Sequence, residues 1–357
     1  MSRLLRVELR RYRARRVALW VGIGLVGVVV LSTVVAGFDA RPPSAAAIRQ
    51  ARVSYQQQAA QWATDGDQIV SDCLASQQAD PNPDADHGCD QLAPTLDQFL
   101  PAVQHFFPPA DPSSVTGASA DGGSVDPAIR QVDTSMWRRF GGLAALDDLA
   151  PVFLFAVFLV AVSFVTAELA SGAIGLWLTF VPGRTRVFWS KAGAAATWAV
   201  PLVVVAFALA AAGSYAAYSV VGTVGSAPDG VVGDIAAFTG RLAVAGAAVA
   251  LAGVALGMLL RHAAAAIGVA AAWLGAETIF RWGMGDLQRW LFSVNLSAWL
   301  HGGEVYTTDR CVPSDTGMSC TTVEHLVTPV QGGLFLLGVT AVLSLAAYLV
   351  FRRRDVA

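Results

Sequence analysis

Lys191 is the only lysine among 24 basic residues, and a solitary cation beside an apolar run is a first candidate for chemistry. A phosphate-binding loop requires Gly-x-x-x-x-Gly-Lys followed by Ser or Thr. Lys191 instead lies between Ser190 and Ala192, so the sequence offers no such loop. Glu168, Glu277, Arg241 and His262 are the other candidates for a buried ionisable group. Each falls near a stretch end or in a short turn, away from the membrane midplane where proton or ion carriers belong. No Gly-x-Ser-x-Gly elbow or His-Glu-x-x-His pair occurs, which argues against a hydrolase or zinc enzyme. The catalytic, cofactor and metal sets are therefore expected to be empty on this chain.

Oxidation is the remaining local chemistry. Cys73, Cys89, Cys311 and Cys320 fall in two polar segments, and disulfides persist only in oxidising compartments. Pairing within each segment, Cys73 with Cys89 and Cys311 with Cys320, is the simplest arrangement, although four cysteines allow three connectivities. Asp80, Asn82 and Asp84 have the spacing of a calcium loop. Ala85 replaces its turn glycine and Gln91 its bidentate glutamate, so the stretch reads as a solvated acidic loop.

The elements that must position these groups are written in the composition. Of 357 residues, 55% are hydrophobic and 14% charged, against roughly 25% charged in soluble domains. A soluble enzyme is excluded. The net charge of −2 gives no basic surplus for nucleic acid. Crossing ~30 Å of hydrocarbon takes about 20 apolar residues, and six windows qualify: 17–37, 149–167, 192–221, 235–260, 263–280 and 332–351. The first exceeds the core of a cleaved signal peptide and is kept as a span. The third is long enough to tilt, protrude or kink at Pro201.

Cytoplasmic flanks are enriched in Lys and Arg. Arginines at 3, 6, 10, 11, 13, 15 and 16 place the N-terminus inside. Alternation then puts Arg184, Arg186, Lys191, Arg261 and the 352–354 arginine triplet inside as well. The expected protein is an all-α, six-helix, multi-pass protein of the cell membrane with both termini cytoplasmic. Residues 1–16 are a cytoplasmic arginine-rich start, compatible with a basic interfacial helix on membrane lipids, and 17–37 are the first span. A large extracytoplasmic segment covers 38–148, with a helix where Ile48, Arg52, Tyr55, Ala59 and Trp62 recur at helical spacing. Residues 149–351 hold five helices, an inside connector at 168–191 and a second outside segment at 281–331. A cytoplasmic tail follows at 352–357. Trp282, Trp290 and Trp299 make 281–331 suited to the outer interface. Gly253 and Gly257 have the spacing of a close helix contact, between subunits or within the chain. The cytoplasmic pieces fall far short of the ~100 residues of an ordinary domain, so any ATPase must be a separate chain.

The connector resembles a known pattern. Glu168 and Gly172 stand as Glu-x-x-x-Gly, Pro182 and Arg184 as Pro-x-Arg, and Lys191 opens the third window. In this order and sidedness the chain resembles the permease subunits of type 2 exporter ABC transporters, with actinobacterial flavour in Arg261-His262-Ala263 and the terminal arginines. The resemblance implies coupling to a separate ABC ATP-binding subunit, which carries ATP and Mg, through Glu168, Gly172, Pro182, Arg184 and Lys191. It also implies a second permease copy or a homologous permease, and no enzyme activity in this chain. A non-transporting scaffold or sensor using the 38–148 segment is the alternative.

Overall fold

The computed structural model describes residues 2–13, 16–79, 87–101, 103–107, 142, 144–180, 183–227, 229–314 and 317–353. Pro182, most of the acidic loop after Ala79, Met136 and Trp137 lie outside these residues. In chain order the helices are α1 (Ser2–Arg13), α2 (Arg16–Asp39), α3 (Ala45–Ala79), α4 (Leu96–Phe99), α5 (Ala144–Asp147), α6 (Ala150–Ala170), α7 (Ala173–Phe180), α8 (Arg184–Val221), α9 (Val231–Leu260), α10 (Ala263–Phe280), α11 (Phe292–His301) and α12 (Pro329–Arg353).

Among the described residues, α2, α6, α8, α9, α10 and α12 are long and apolar enough to cross a membrane, matching the six windows. The chain is a predominantly helical, multi-pass membrane protein. Burial grades the spans: 67% of the apolar window of α6 is covered by the rest of the chain, against 11% for α2 and α10 and 17% for α12. α6 is thus the central strut. It packs on α8 and α9, α9 packs on α12, and α2 lies along α8. The apolar rows left open on α2, α10 and α12 suit hydrocarbon, because lipid tails are as apolar as the side chains that meet them.

Small residues set the closest approaches. A Cβ on Gly253 would stand 3.0 Å from the Ala161 Cβ and 3.2 Å from the Phe158 carbonyl, and one on Gly257 would stand 3.3 Å from the Val162 carbonyl. Both glycines therefore face α6, and the contact they make is within the chain. Pro201 lies inside α8 without ending it. At 38 residues and ~1.5 Å per residue, α8 is about 57 Å long and must protrude from the hydrocarbon. Arg261 closes α9 in the left-handed region at φ 59°, its N–H bonding the Gly257 carbonyl at 3.0 Å; the two-residue link Arg261-His262 then enters α10.

The segment after α2 contains α3, which is longer than the expected periodicity. Ser44 begins it, its Oγ accepting the Ala47 N–H at 3.1 Å, a side-chain N-cap. Farther on, residues 103–107 return to the bundle. Phe106 and Phe107 donate their N–H groups to Thr223 and Val224 at 3.2 and 2.9 Å, and the Phe106 ring meets Tyr215 and Tyr218 edge-on.

One element stands beside the helices. Glu304–Ser314 (β1) and Gly317–Val327 (β2) form an antiparallel hairpin, with Glu304 opposite Val327 and Ser314 opposite Gly317. Val305, Tyr306, Thr307, Thr308, Thr321, Thr322 and Val323 are β-branched or aromatic, the types that suit a pleated, half-covered surface. α11 and the hairpin together occupy the chain between α10 and α12.

Candidate functional site

α6 and α8 run past one another so that Glu168, two residues before the end of α6, faces Lys191 on the second turn of α8. The lysine is 0% exposed. Its ammonium bonds the Glu168 carboxylate and stands 3.2 and 3.3 Å from the two oxygens of Glu8. It also lies 4.9 Å from the centroid of the Phe164 ring, one helical turn before Glu168. Phe164 and Glu168 share a face of α6 because residues four apart stack on a helix.

Glu8 brings α1 into the site. This helix carries Arg6, Arg10 and Arg11 outward and turns its single carboxylate, 2% exposed, onto α8. One ammonium thus meets two carboxylates at the junction of three helices. A buried ion costs several kcal/mol to desolvate and is tolerated only when paired. Lys191 has three donors to distribute, and an aromatic face adds cation–π attraction. The Glu8 and Glu168 charges also offset the unfavourable placing of a cation near the positive start of α8.

The connector has definite structure. The Ser171 N–H bonds the Ala167 carbonyl at 3.1 Å and the Gly172 N–H the Leu169 carbonyl at 3.3 Å. Gly172 adopts φ 70°, the left-handed conformation in which glycine ends a helix without strain. α7 follows, and Gly183 leads into α8. Arg184 sits at the start of α8, and its Nη1 donates to the Arg352 carbonyl at 3.0 Å. Thr185 and Tyr348 hydroxyls meet at 3.1 Å. A guanidinium on the last carbonyls of α12 satisfies an orphan acceptor and suits the helix dipole.

Of the five expected site residues, the fold brings Glu168 and Lys191 into contact and puts Gly172 at the turn after α6. Arg184 lies on the end of α12, and Pro182 is outside the described residues. Glu8 was missed. The available signal was its isolation: it is the only acidic residue before Asp39.

The disulfide expectations divide as follows. Cys73 and Cys89 are joined, tying the end of α3 to the chain that follows. Cys311 is disulfide-bonded and stands opposite Cys320 in the hairpin register.

At the other end of α6, Glu277 of α10 is 6% exposed. It accepts the Trp273 indole N–H at 2.8 Å and the backbone N–H groups of Phe292 and Ser293 at 2.7 and 2.9 Å. It therefore caps the start of α11, a structural task for a carboxylate at a helix N-terminus. No group of three or more His, Cys, Asp or Glu side chains that could hold a metal ion occurs among the described residues. No known protein family, curated protein or solved structure matches the chain.

Proposed function

We propose that this chain is the membrane-spanning permease subunit of an ATP-driven exporter, with ATP and Mg bound by a separate ABC ATP-binding chain. It lies in the cell membrane with both termini cytoplasmic, alongside a second permease copy or a homologous permease. One observation carries the reading: the buried Glu8, Lys191 and Glu168 cluster fastens the arginine-rich α1 to the two spans that flank the short connector. A force applied to that connector has a stiff path into α6, the most enclosed span, and into the long α8. An apolar pair would slide, whereas a paired buried charge resists separation, because parting it strands ions out of water.

Co-expression with a candidate ATP-binding chain and purification in detergent is the test. The expected outcome is a stoichiometric complex whose ATP hydrolysis drives outward movement of substrate in vesicles. Glu168→Ala is expected to leave membrane insertion intact and to abolish the link between hydrolysis and transport. Unchanged coupling in that variant, or absence of any ATP-binding partner, overturns the reading.

A non-transporting scaffold or sensor is the second reading, and α3 favours it. This 35-residue helix buries only Ala51 and Gly66 and is tethered by the disulfide at Cys73. A helix with little covered surface is suited to meeting a partner. Persistent purification without an ATPase, together with binding of a protein by the 45–79 helix, favours this reading over the exporter.

A further inference from the structure

We infer that His301 is a proton-binding site at the end of α6 opposite Lys191, holding its ring as imidazolium between two carboxylates. Four side chains form one hydrogen-bonded chain here. His301 Nε2 meets the Asp147 carboxylate. On the other side of the ring, Nδ1 lies 2.9 Å from Ser297 Oγ, and that hydroxyl lies 2.7 Å from Glu304 Oε2. A serine hydroxyl has one proton, and an ionised carboxylate only accepts. The Ser297 proton therefore points to Glu304, which leaves Oγ as acceptor and makes Nδ1 a donor. Nε2 must also donate, because it too faces a carboxylate. Both ring nitrogens carry hydrogen only in the protonated form.

The surroundings agree with a bound charge. The His301 and Asp147 side chains are 10% and 24% exposed, sheltered yet reachable by protons. The ring stacks on Phe238 of α9, with centroids 5.7 Å apart. The carboxylates of Asp147, at the end of α5, and Glu304, in β1, favour the cation. Arg241 of α9 opposes it: its guanidinium donates to the Leu300 carbonyl at 3.5 Å. α12 brings no titratable side chain to this end, since its charged residues Arg352 and Arg353 lie in its last turn. Removing the imidazolium proton breaks one of the two bonds and leaves the carboxylates facing a neutral ring.

The consequence is a proton-dependent latch. The proton ties the approach to α6 to the C-terminal end of α11 and the start of the hairpin. Opening this contact releases the imidazole to an ordinary environment with a midpoint near pH 6.5. Above that pH the closed state holds a proton that the open state lacks, so closure weakens by up to about tenfold per pH unit until the closed state itself deprotonates. Below it, closure is insensitive to pH.

Hydrogen exchange of the 292–304 amides in the full-length protein, corrected for intrinsic exchange rates, reads the latch directly. The expected wild-type result is opening that is flat below pH 6.5 and rises with pH above it. His301→Gln is expected to be open and flat across the range. Asp147→Asn keeps an acceptor but removes one anion, so its rise is expected to begin at the same pH, from a more open baseline, and to level off at lower pH with the fold intact. Nitrogen NMR of labelled histidine, assigned by loss of the signal in His301→Gln, is expected to show two protonated ring nitrogens at pH 6.5. A neutral His301 ring at that pH, a wild-type profile with no rise, or an unmoved profile in Asp147→Asn overturns the inference.

Discussion

At one end of α6, Lys191 is enclosed with Glu168 and Glu8; at the other, His301 lies against Asp147 and, through Ser297, against Glu304. Along a helix of 21 residues these sites stand roughly 30 Å apart. Both join three chain elements by a cation between two acids. They differ in the cation. An ammonium offers three donors and no acceptor, whereas the imidazole is the side chain whose charge changes most readily near neutral pH. The Lys191 end is a fully enclosed clamp suited to transmitting force. The His301 end is a clamp that can be released, which suits a surface that must open.

The largest effect expected from breaking this contrast is at Lys191. Lys191→Met removes the cation and leaves two carboxylates buried, a loss of about 3–5 kcal/mol, read as a lower unfolding midpoint in detergent. Adding Glu8→Gln and Glu168→Gln removes the stranded charges and is expected to restore most of that loss. If the triple variant is as unstable as Lys191→Met alone, the lysine acts by filling space and the electrostatic half of the contrast is wrong.

An intermediate effect separates the two anchors of α11. Glu277 holds its first turn through backbone N–H groups, and His301 holds its last. Glu277→Gln keeps the acceptor shape but loses the charge, and is expected to cost about 1–2 kcal/mol. Hydrogen exchange should rise over wild type at Phe292 and Ser293 by a similar amount at pH 6 and pH 8. If the increment of Glu277→Gln over wild type at those two amides differs between pH 6 and pH 8, the two anchors are one device.

The spans were legible because a run of ~20 apolar residues has one stable destination, whatever its neighbours. Lys191 and Glu168 were legible as residues, being rare charges at the margins of such runs. Glu8 was not, because an acid among arginines on an amphipathic helix reads as a solvated surface pair. Only the packing of α1 on α8 turns it inward. The hairpin was hidden for a different reason. Its Thr and Val run is interrupted by Asp309, Arg310 and Pro313, and strand preference is decided by what the strand packs against. The bond between Asp147 and His301 spans 154 residues of sequence, and no local pattern announces it. The glycines at 253 and 257 were ambiguous between two kinds of interface until α6 was seen against them.

The smallest expected effect is at Tyr306. Tyr306 lies in β1 two residues beyond Glu304, is 6% exposed, and stacks on His325 with centroids 5.1 Å apart. Burial, and then the nearby negative charge of Asp286, push its phenol above the ordinary value of 10.0, with Arg289 pulling weakly the other way. The fold therefore favours the neutral phenol. That stabilisation is complete below pH 10 and is lost as pH rises through the higher folded value. Tyr306 thus contributes no pH dependence between 6.5 and 9, the interval in which the His301 latch loosens. Tyr306→Phe is expected to change stability at pH 7 by less than about 1 kcal/mol and to leave the exchange profile of 292–304 in that interval unmoved. Difference absorbance near the phenolate band should show the missing tyrosine as the part of the wild-type titration above pH 10. If the variant instead flattens the rise between pH 6.5 and 9, the hairpin, and not the imidazole, controls that end of the molecule.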